Sequence, residues 1–313
     1  MLKKTISLIE FYRLYSVIII FRFIFLKLLT NIFKLDSYKI KVYDFELIVP
    51  LQQGGLTTVL TVFQGRELDH KYMLENVLKT NDTILDLGSN IGYYIALENS
   101  ILRGNAYFYC IEPDERNLKF LKENLALHGV SDRAEVTLGA MTNYNGSISF
   151  NFNALTNLNS VEFEHSHNEM TANVPCYDVV DYLASREHVD VIRMDIEGHE
   201  LVVLAKLAEG IKNQIISAPR VIIFETHFYP DKDEAVKVLN AILDCGYKFK
   251  YLSSDDEHKG ELSSFKLKGL NPIKIIPEWS VTRGIYSNVE ENLAVKIVSD
   301  WEGSRTVCLE LGE

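Results

Sequence analysis

The chain has 313 residues, of which 47% are hydrophobic and 24% charged, an ordinary composition for a globular protein. Its formal net charge of -11 argues against a general nucleic-acid binder, because affinity for a phosphate backbone is built from clustered Lys and Arg. We therefore expect no nucleic-acid partner. A small-molecule or glycan acceptor fits this charge better.

The first 35 residues differ from the rest in charge and hydropathy. They carry six cations against a single acid, so this arm has a net charge of +5 and the remainder of the chain -16. The cations are Lys3, Lys4, Arg13, Arg22, Lys27 and Lys34, and the acid is Glu10. The fourteen strongly apolar residues within 14–33 gain roughly 4 to 8 kcal/mol on insertion into a bilayer, and the two cations among them cost roughly 5 to 7 kcal/mol.

This near cancellation leaves three interpretations of the arm. Two are equally well supported: a helix on the membrane surface, and a hydrophobic helix that packs on the main domain or across a dimer interface. The third and least supported is a transmembrane helix. No small-residue cleavage site follows the apolar run, so a cleaved secretory signal is disfavoured. We expect a cytoplasmic protein, which the first of these interpretations places at the inner face of the membrane, and the oligomeric state stays open.

The cysteines indicate neither a disulfide framework nor a zinc site. All four lie far apart, without a C-x-x-C pair and without ligand spacing to a histidine. They are Cys110, Cys176, Cys245 and Cys308. We expect reduced, buried thiols.

After the arm, the chain predicts an extension at 36–78 and one large domain at 79–313. In the extension, Ile40 to Val49 alternates enough to predict a strand or hairpin, and Glu67 to Leu78 predicts a helix. From Thr83 onward, short β-branched or aromatic runs alternate with longer helical patterns, which is typical of a doubly wound, mostly parallel sheet.

Six strands and five helices are predicted for this domain. The strands are Thr83–Leu87, Ala106–Ile111, Ala134–Leu138, Val189–Met194, Val221–Glu225 and Tyr247–Leu252. The helices are Gly92–Leu102, Asp114–His128, Asp178–Ser185, His199–Lys212 and Asp231–Cys245. An insertion at about residues 142–173 is expected to contain a strand at Ser147–Phe152 and a polar run at Asn153–Asn168 that could cover a ligand. A polar loop is expected at Ser254–Gly269 and a last, antiparallel strand around Arg305–Leu311.

The turn after the first of these strands carries the pattern of a cofactor loop. In an open α/β sheet, ligands bind outside the carboxyl ends of the strands, where this strand turns into its helix. Glycines let the backbone pass close beneath a ligand, and the polar side chains between them can cap the helix or bind the ligand. The candidate cofactor residues are Asp86, Gly88, Ser89, Asn90, Gly92 and Tyr93.

The spacing in this turn is D-x-G-x-x-x-G, whereas a dinucleotide-binding dehydrogenase needs G-x-G-x-x-G. An acidic residue at the start of the turn suits the ammonium group of an amino-acid ligand. Glu112, at the end of the second strand, can accept both hydroxyls of a free ribose or can simply cap the following helix. S-adenosylmethionine has both an amino-acid end and a free ribose, so it is the expected cofactor.

A second acidic motif follows a buried strand, in the segment MDIEGHE at 194–200. Asp195, Glu197 and Glu200 place three carboxylates within six residues, where mutual repulsion raises a pKa or recruits a cation. We favour a role in the active site for Asp195 and Glu197, and helix capping for Glu200. His199 is either a general base for a hydroxyl or a solvated residue at the start of the helix.

The fifth strand ends in Phe224-Glu225-Thr226-His227, at the same edge of the sheet. His227 is therefore a second candidate base. Together with Asp195, the Glu-x-His pair could hold a divalent metal. We expect no metal site, since the spacing fixes no ligand count.

At this point the motifs resemble those of the FkbM family of methyltransferases. The resemblance covers roughly residues 40–250 and rests on four segments in the family's order, of which the D-x-E-G-x-E piece is the most specific. The segments are TILDLGSNIGYY (83–94), CIEPDERNLKFLKENLALHG (110–129), VDVIRMDIEGHELVVLAK (189–206) and IIFETH (222–227). Two positions depart from the family: Arg193 stands where a lysine is usual, and His199 where a small residue is common.

The resemblance implies a class I methyltransferase fold with a Rossmann-like, doubly wound sheet, and S-adenosylmethionine as the methyl donor. It also implies O-methylation of a hydroxyl, often on a glycan or secondary metabolite. The hydrophobic, basic arm separately indicates a lipid-linked or membrane-proximal glycan as one acceptor class. The departures leave the general base open among Glu197, His199 and His227. Two rival functions remain: a membrane-associated protein that binds the cofactor without catalysis, and an NAD-dependent oxidoreductase.

Overall fold

A computed structural model of the chain describes residues 17–22, 24–26, 28–51, 55–152, 170–254, 265, 269–278, 281–300 and 303–312. It contains two compact units, which we call the N-terminal unit (Met1–Arg66) and the C-terminal unit (Glu67–Glu313). The C-terminal unit holds all the candidate site residues.

The N-terminal unit contains a helix, a hairpin and a second helix. Helix α1 is described at residues 17–22, 24–26 and 28–31. Strands β1 (Ser37–Val42) and β2 (Phe45–Pro50) pair antiparallel and confirm the hairpin predicted around Ile40–Val49, and helix α2 (Gly55–Phe63) follows. Within the described part of the chain, no helix has both the length and the apolar composition needed to cross a membrane.

The C-terminal unit alternates strands and helices. Its strands are β3 (Thr83–Leu87), β4 (Tyr107–Glu112), β5 (Ala134–Leu138), β6 (Ala140–Thr142), β7 (Gly146–Phe152), β8 (Met170–Asp178), β9 (Val191–Met194), β10 (Val221–Glu225), β11 (Tyr247–Ser254), β12 (Lys274–Glu278), β13 (Val281–Tyr286) and β14 (Ser304–Leu311). Its helices are α3 (Leu68–Val77), α4 (Tyr93–Ile101), α5 (Glu115–Leu127), α6 (Val179–Ala184), α7 (Glu200–Lys212), α8 (Lys232–Leu243) and α9 (Glu291–Ser299).

Nine of these strands form one central sheet in the order β12-β13-β11-β14-β10-β9-β3-β4-β5. From β5 to β10 all neighbouring strands are parallel, while β14 runs antiparallel to both β10 and β11. The prediction of a mostly parallel, Rossmann-like sheet with an antiparallel last strand is therefore confirmed. The strand order reverses between β3 and β9, and a crevice opens at such a switch point beyond the carboxyl ends of the strands.

Burial explains why the central strands form as they do. Ile84, Leu85, Val191 and Ile192 are all fully buried, as are the apolar residues of β10. Strands covered on both faces are near-continuous runs of apolar residues, and they pack here into one large core with α6, α7 and α8. The sheet thus gives the loops that follow β3, β9 and β10 a rigid base.

A small second sheet in the order β6-β8-β7 spans the predicted insertion and extends beyond both of its ends. Strand β7 confirms the strand predicted at Ser147–Phe152. The polar run predicted at Asn153–Asn168 lies outside the described residues, as does most of the loop predicted at Ser254–Gly269. All four cysteines are free thiols, and Cys110, Cys176 and Cys308 are buried.

Candidate functional site

The loop between β3 and α4 is shaped by its glycines. Gly88 and Gly92 have φ values of +80° and +84°, a region that favours glycine. A Cβ atom on Gly88 would also overlap the backbone carbonyl oxygen of Asp195, so the loop after β3 touches the loop after β9. The two segments singled out in the sequence are therefore adjacent in space.

Polar residues of this loop are mostly engaged within it. Ser89 is buried, and its hydroxyl donates to the carbonyl oxygen of Asp86 at 2.9 Å. Asn90 has a φ of 48°, and its side-chain oxygen accepts from the backbone N–H of Ile91 at 2.8 Å. Tyr93, the first residue of α4, is buried with its ring edge against Tyr94. Ser89 and Tyr93 are thus buried side chains, and Ser89 stabilises the loop through its bond to Asp86.

Asp86 and Arg193 form a buried ion pair under the loop. Arg193 Nη1 lies 3.2 Å from Asp86 Oδ1 and donates also to the carbonyl oxygen of Gly88 at 3.3 Å, while Nη2 donates to Asp195 Oδ2 at 3.2 Å. Its guanidinium carbon lies 3.7 Å from the centre of the Tyr94 ring. Burial raises the pKa of Asp86, and Arg193 opposes that rise. Arg193 therefore ties both loops together, a role that its position in a buried strand could have signalled.

The full burial of Asp86 bears on its predicted contact with an ammonium group. The carboxylate is 0% exposed, and among the described residues its Oδ2 has no hydrogen-bond partner. The neighbouring Glu98 is also fully buried, and burial followed by the charge of Asp86 raises the pKa of Glu98 well above its usual value. The ammonium contact of Asp86 stays a prediction.

Glu112 connects the glycine loop to the next helix. Its Oε2 accepts from the backbone N–H of Asn90 at 2.7 Å, and its Oε1 accepts from Asp114 N–H at 2.9 Å and from Asn117 Nδ2 at 3.1 Å. Burial raises the pKa of Glu112 to about 7. Since a carboxylate offers about four acceptor positions, roughly one remains for a ribose hydroxyl. Asp114, rather than Glu112, caps α5, because its side chain accepts from the backbone N–H of Arg116.

The loop between β9 and α7 is held from within by Glu200. This residue is fully buried, and its two oxygens accept from the backbone N–H groups of Ile196 and Gly198, each at 3.0 Å. Between these anchors, Glu197 takes a φ of 55°, which leaves its side chain partly exposed. Both N–H groups lie in the loop ahead of α7, so Glu200 fixes the loop that carries Asp195 and Glu197 and, contrary to the prediction, does not cap the first turn of the helix.

His227 lies between two of these carboxylates. Its Nε2 is 3.3 Å from Glu197 Oε2, and its Nδ1 is 3.2 Å from Glu200 Oε1. Although burial lowers it, the pKa of His227 is raised to about 11 by Glu197 and Glu200. Burial raises the pKa of Glu197, against the effect of His227. At neutral pH the imidazole is thus a cation that holds two acids in place.

His199 has a different environment. It is buried, and its Nε2 lies 3.0 Å from the hydroxyl of Thr142 at the end of β6. The structure therefore places His199 against the inserted sheet, where it links α7 to β6. The sequence carried no signal for this contact, because the two residues are 57 positions apart.

Asp195, Glu225 and His227 form the metal-competent group found among the described residues. One ligand atom from each lies within 4.8 Å of the others. Each is also paired with an opposite charge: Asp195 with Arg193, Glu225 with Arg305, and His227 with Glu197 and Glu200. The group has suitable donors, and its charges are already matched by protein side chains.

A further buried network supports this edge of the sheet. Tyr94 donates its hydroxyl hydrogen to Glu67, and Arg305 Nη2 lies 3.2 Å from Glu67 Oε1 while Nη1 pairs with Glu225. Arg305 and Glu67 are 238 positions apart in the sequence. These partners could not be paired from the sequence, although Glu67, Tyr94 and Glu225 are charged or phenolic residues in buried positions.

A sequence comparison with known protein families finds one match. The sequence model described as "Methyltransferase FkbM domain" matches residues 86–249, just over half of the chain. No curated protein matches the sequence at a significant level.

Solved methyltransferase structures show distant similarity. A methyltransferase FkbM from Methylobacillus flagellatus KT is 17% identical, with a TM-score of 0.41, covering 67% of this chain and 45% of that chain. A putative rRNA-methylase from Clostridium thermocellum is 9% identical, with a TM-score of 0.42 and coverage of 78% and 95%. M. jannaschii TYW2 in complex with AdoMet is 11% identical, with a TM-score of 0.40 and coverage of 88% and 87%.

The match begins at Asp86 and includes the glycine loop, Glu112, the D-x-E-G-x-E segment and His227. These residues lie at the carboxyl ends of four neighbouring parallel strands, β4, β3, β9 and β10. With this family match over more than half of its length, and with a mostly parallel Rossmann-like sheet beneath the matched loops, the chain belongs to the FkbM family of methyltransferases.

Proposed function

We propose that this protein transfers a methyl group from S-adenosylmethionine to a hydroxyl of a glycan or secondary metabolite. The carrying observation is the direct contact between the glycine loop and the D-x-E-G loop at Gly88 and Asp195. The glycine loop, which we assign to the methyl donor, therefore touches the loop that carries Glu197, a partly exposed acid two residues after Asp195. Methyl transfer requires such closeness, because the acceptor oxygen must lie in line with the methyl carbon and its leaving sulfur.

The residues of the glycine loop fit the donor. Gly88 and Gly92 take positive φ angles that give the turn after β3 its shape, and Glu112 retains about one acceptor position for a ribose hydroxyl. When bound, S-adenosylmethionine supplies an electrophilic methyl group on a positively charged sulfur.

Glu197 is our candidate for the general base. Burial raises the pKa of its carboxyl, and an acid with a raised pKa is a better proton acceptor. His227 is protonated at neutral pH, so it has no free nitrogen lone pair with which to take a proton. His199 is engaged by Thr142. In this scheme His227 and Glu200 hold the loop of Glu197, and Glu197 takes the hydroxyl proton.

The test is methyl transfer from labelled S-adenosylmethionine by the full chain to a panel of glycans, lipid-linked sugars and hydroxylated secondary metabolites. We expect label on an oxygen of at least one acceptor, located by mass spectrometry, and a loss of about 100-fold in the Glu197→Gln variant. Calorimetry with the donor and with NAD separates the rival functions. NAD binding without donor binding would refute the proposal, and donor binding without transfer to any hydroxyl would indicate the non-catalytic alternative.

A further inference from the structure

Helix α1 of the N-terminal unit has two sides with opposite surroundings. On one side, Leu26 and Leu29 are buried with Leu51 in a small core against Tyr38. On the same side, Arg22 donates to the carbonyl oxygen of Val62 at 3.1 Å and to the side-chain oxygen of Gln64 at 2.6 Å. The helix is therefore fixed along one side to the hairpin and to the end of α2.

The other side of α1, which we call the free face, is apolar and exposed. At 3.6 residues per turn its positions form one stripe along the helix. Its side chains are between 38% and 70% exposed, and they are Val17, Ile20, Phe21, Ile24 and Leu28, with Ile32 in the turn directly after the helix. Among the described residues of the helix, the charged one is Arg22, which lies on the fixed side. Contiguous exposed apolar surface of this kind marks an interaction site, whereas scattered single residues do not.

Charge distinguishes the possible partners of this face. The first 35 residues have a net charge of +5, and the rest of the chain -16. Two copies meeting through their free faces would bring two cationic arms together, which is unfavourable. An anionic lipid surface attracts Lys and Arg near the headgroups and accepts apolar side chains beneath them.

We propose that the free face of α1 docks on a lipid bilayer that contains anionic headgroups. The helix lies in the plane of the interface, because Arg22, Leu26 and Leu29 hold its opposite side against the rest of the N-terminal unit. The apolar side chains enter the boundary between headgroups and acyl chains to a depth of about 5 to 10 Å. This docking does not depend on the proposed methyl transfer and can be tested without an acceptor.

The test is flotation of the full chain with phosphatidylcholine vesicles that either lack or contain about one-third phosphatidylglycerol. We expect flotation with the anionic vesicles, and a fall of at least about tenfold in the bound fraction for the double variant Phe21→Glu/Ile24→Glu. The matched control, Ile215→Glu/Ile275→Glu, changes two isoleucines that are 54% and 56% exposed in the C-terminal unit. We expect it to float as the unchanged chain does.

As a control, circular dichroism and thermal melting should show that both double variants keep the fold of the unchanged chain. Raising the salt concentration should weaken flotation with the anionic vesicles, because the Lys and Arg contribution is screened. Absence of flotation with either vesicle, or unchanged flotation of Phe21→Glu/Ile24→Glu, would overturn the proposal. Light scattering provides a further check: a dimer that this variant converts to monomers, without any vesicle binding by the unchanged chain, would identify a second copy as the partner instead.

Discussion

The two loops that meet at Gly88 are stabilised in different ways. The glycine loop after β3 is built from backbone conformation and from acids that are almost fully buried, Asp86 and Glu112. The loop after β9 is built around Glu197, Glu200 and His227, which are paired with one another and leave Glu197 partly exposed. This difference supports the proposal made above, in which the first loop shapes the donor site and Glu197 of the second loop takes the acceptor proton.

The largest expected effect follows from Gly88→Ala. The new Cβ would overlap the carbonyl oxygen of Asp195 and would also occupy a left-handed φ, so both loops must move. We expect donor affinity, measured by calorimetry, to fall by at least roughly 100-fold, which corresponds to about 3 kcal/mol.

Gly129→Ala is the matched control for this change. Gly129 has a φ of +62° and nothing within 4 Å of its added Cβ, so the variant tests the backbone conformation without the overlap. We expect it to lose only about 1 to 2 kcal/mol of stability and to keep its donor affinity. Equal losses of affinity in both variants would show that the contact between the loops does not matter.

The second effect concerns the loop after β9 alone. In Glu197→Gln we expect kcat to fall by about 100-fold while the donor dissociation constant changes by less than about twofold, because only the proton acceptor is lost. Glu209→Gln, at an exposed position on α7, is the control and should match the unchanged chain. An undiminished kcat in Glu197→Gln would move the base to another residue, and His199→Gln would then be the next variant.

The third effect is a pH dependence of donor affinity, which we expect to arise from Glu112 beside the glycine loop. Because the pKa of Glu112 is about 7, its carboxyl becomes protonated as the pH falls through neutrality. An ionised carboxylate is the better acceptor for a ribose hydroxyl, so donor affinity should be highest above pH 7 and should fall by up to about tenfold per unit below it. In Glu112→Gln this slope should disappear, and a flat profile in the unchanged chain would contradict the role of Glu112.

The smallest expected effect is that of metal removal. Asp195, Glu225 and His227 already have partners of opposite charge, so chelation should alter kcat by less than about twofold. Loss of activity on chelation, restored by a divalent ion, would instead assign these three side chains as metal ligands.

The central fold could be predicted because its signals are local. Strands Thr83–Leu87, Ala134–Leu138 and Val221–Glu225 have their predicted bounds, since β-branched or apolar runs between helical patterns leave few alternatives. The hairpin of β12 and β13 was missed. Proline is unusual inside a strand, yet Pro277 lies in β12, which is the edge strand of the sheet, where a missing N–H is tolerated.

In the candidate site, too, the local features could be predicted and the long-range contacts could not. The glycines after β3 were identified because their spacing within seven residues carries the information. The ion pairs were not, because Asp86 and Arg193 are 107 positions apart and Arg305 lies beyond the segment that resembles the family. A sequence pattern indicates which residues are acidic or basic, but the fold decides which of them meet.

The tight approach of Gly88 to Asp195 also limits how this protein can diversify. Because neither loop can grow at that point without displacing the other, insertions there would damage both halves of the site at once. The sheet of β6, β7 and β8 is bound to α7 through Thr142 and His199. It takes no part in the contact between Gly88 and Asp195. Evolutionary changes in acceptor choice should therefore accumulate in this added sheet, while the two loops at the centre stay fixed in length.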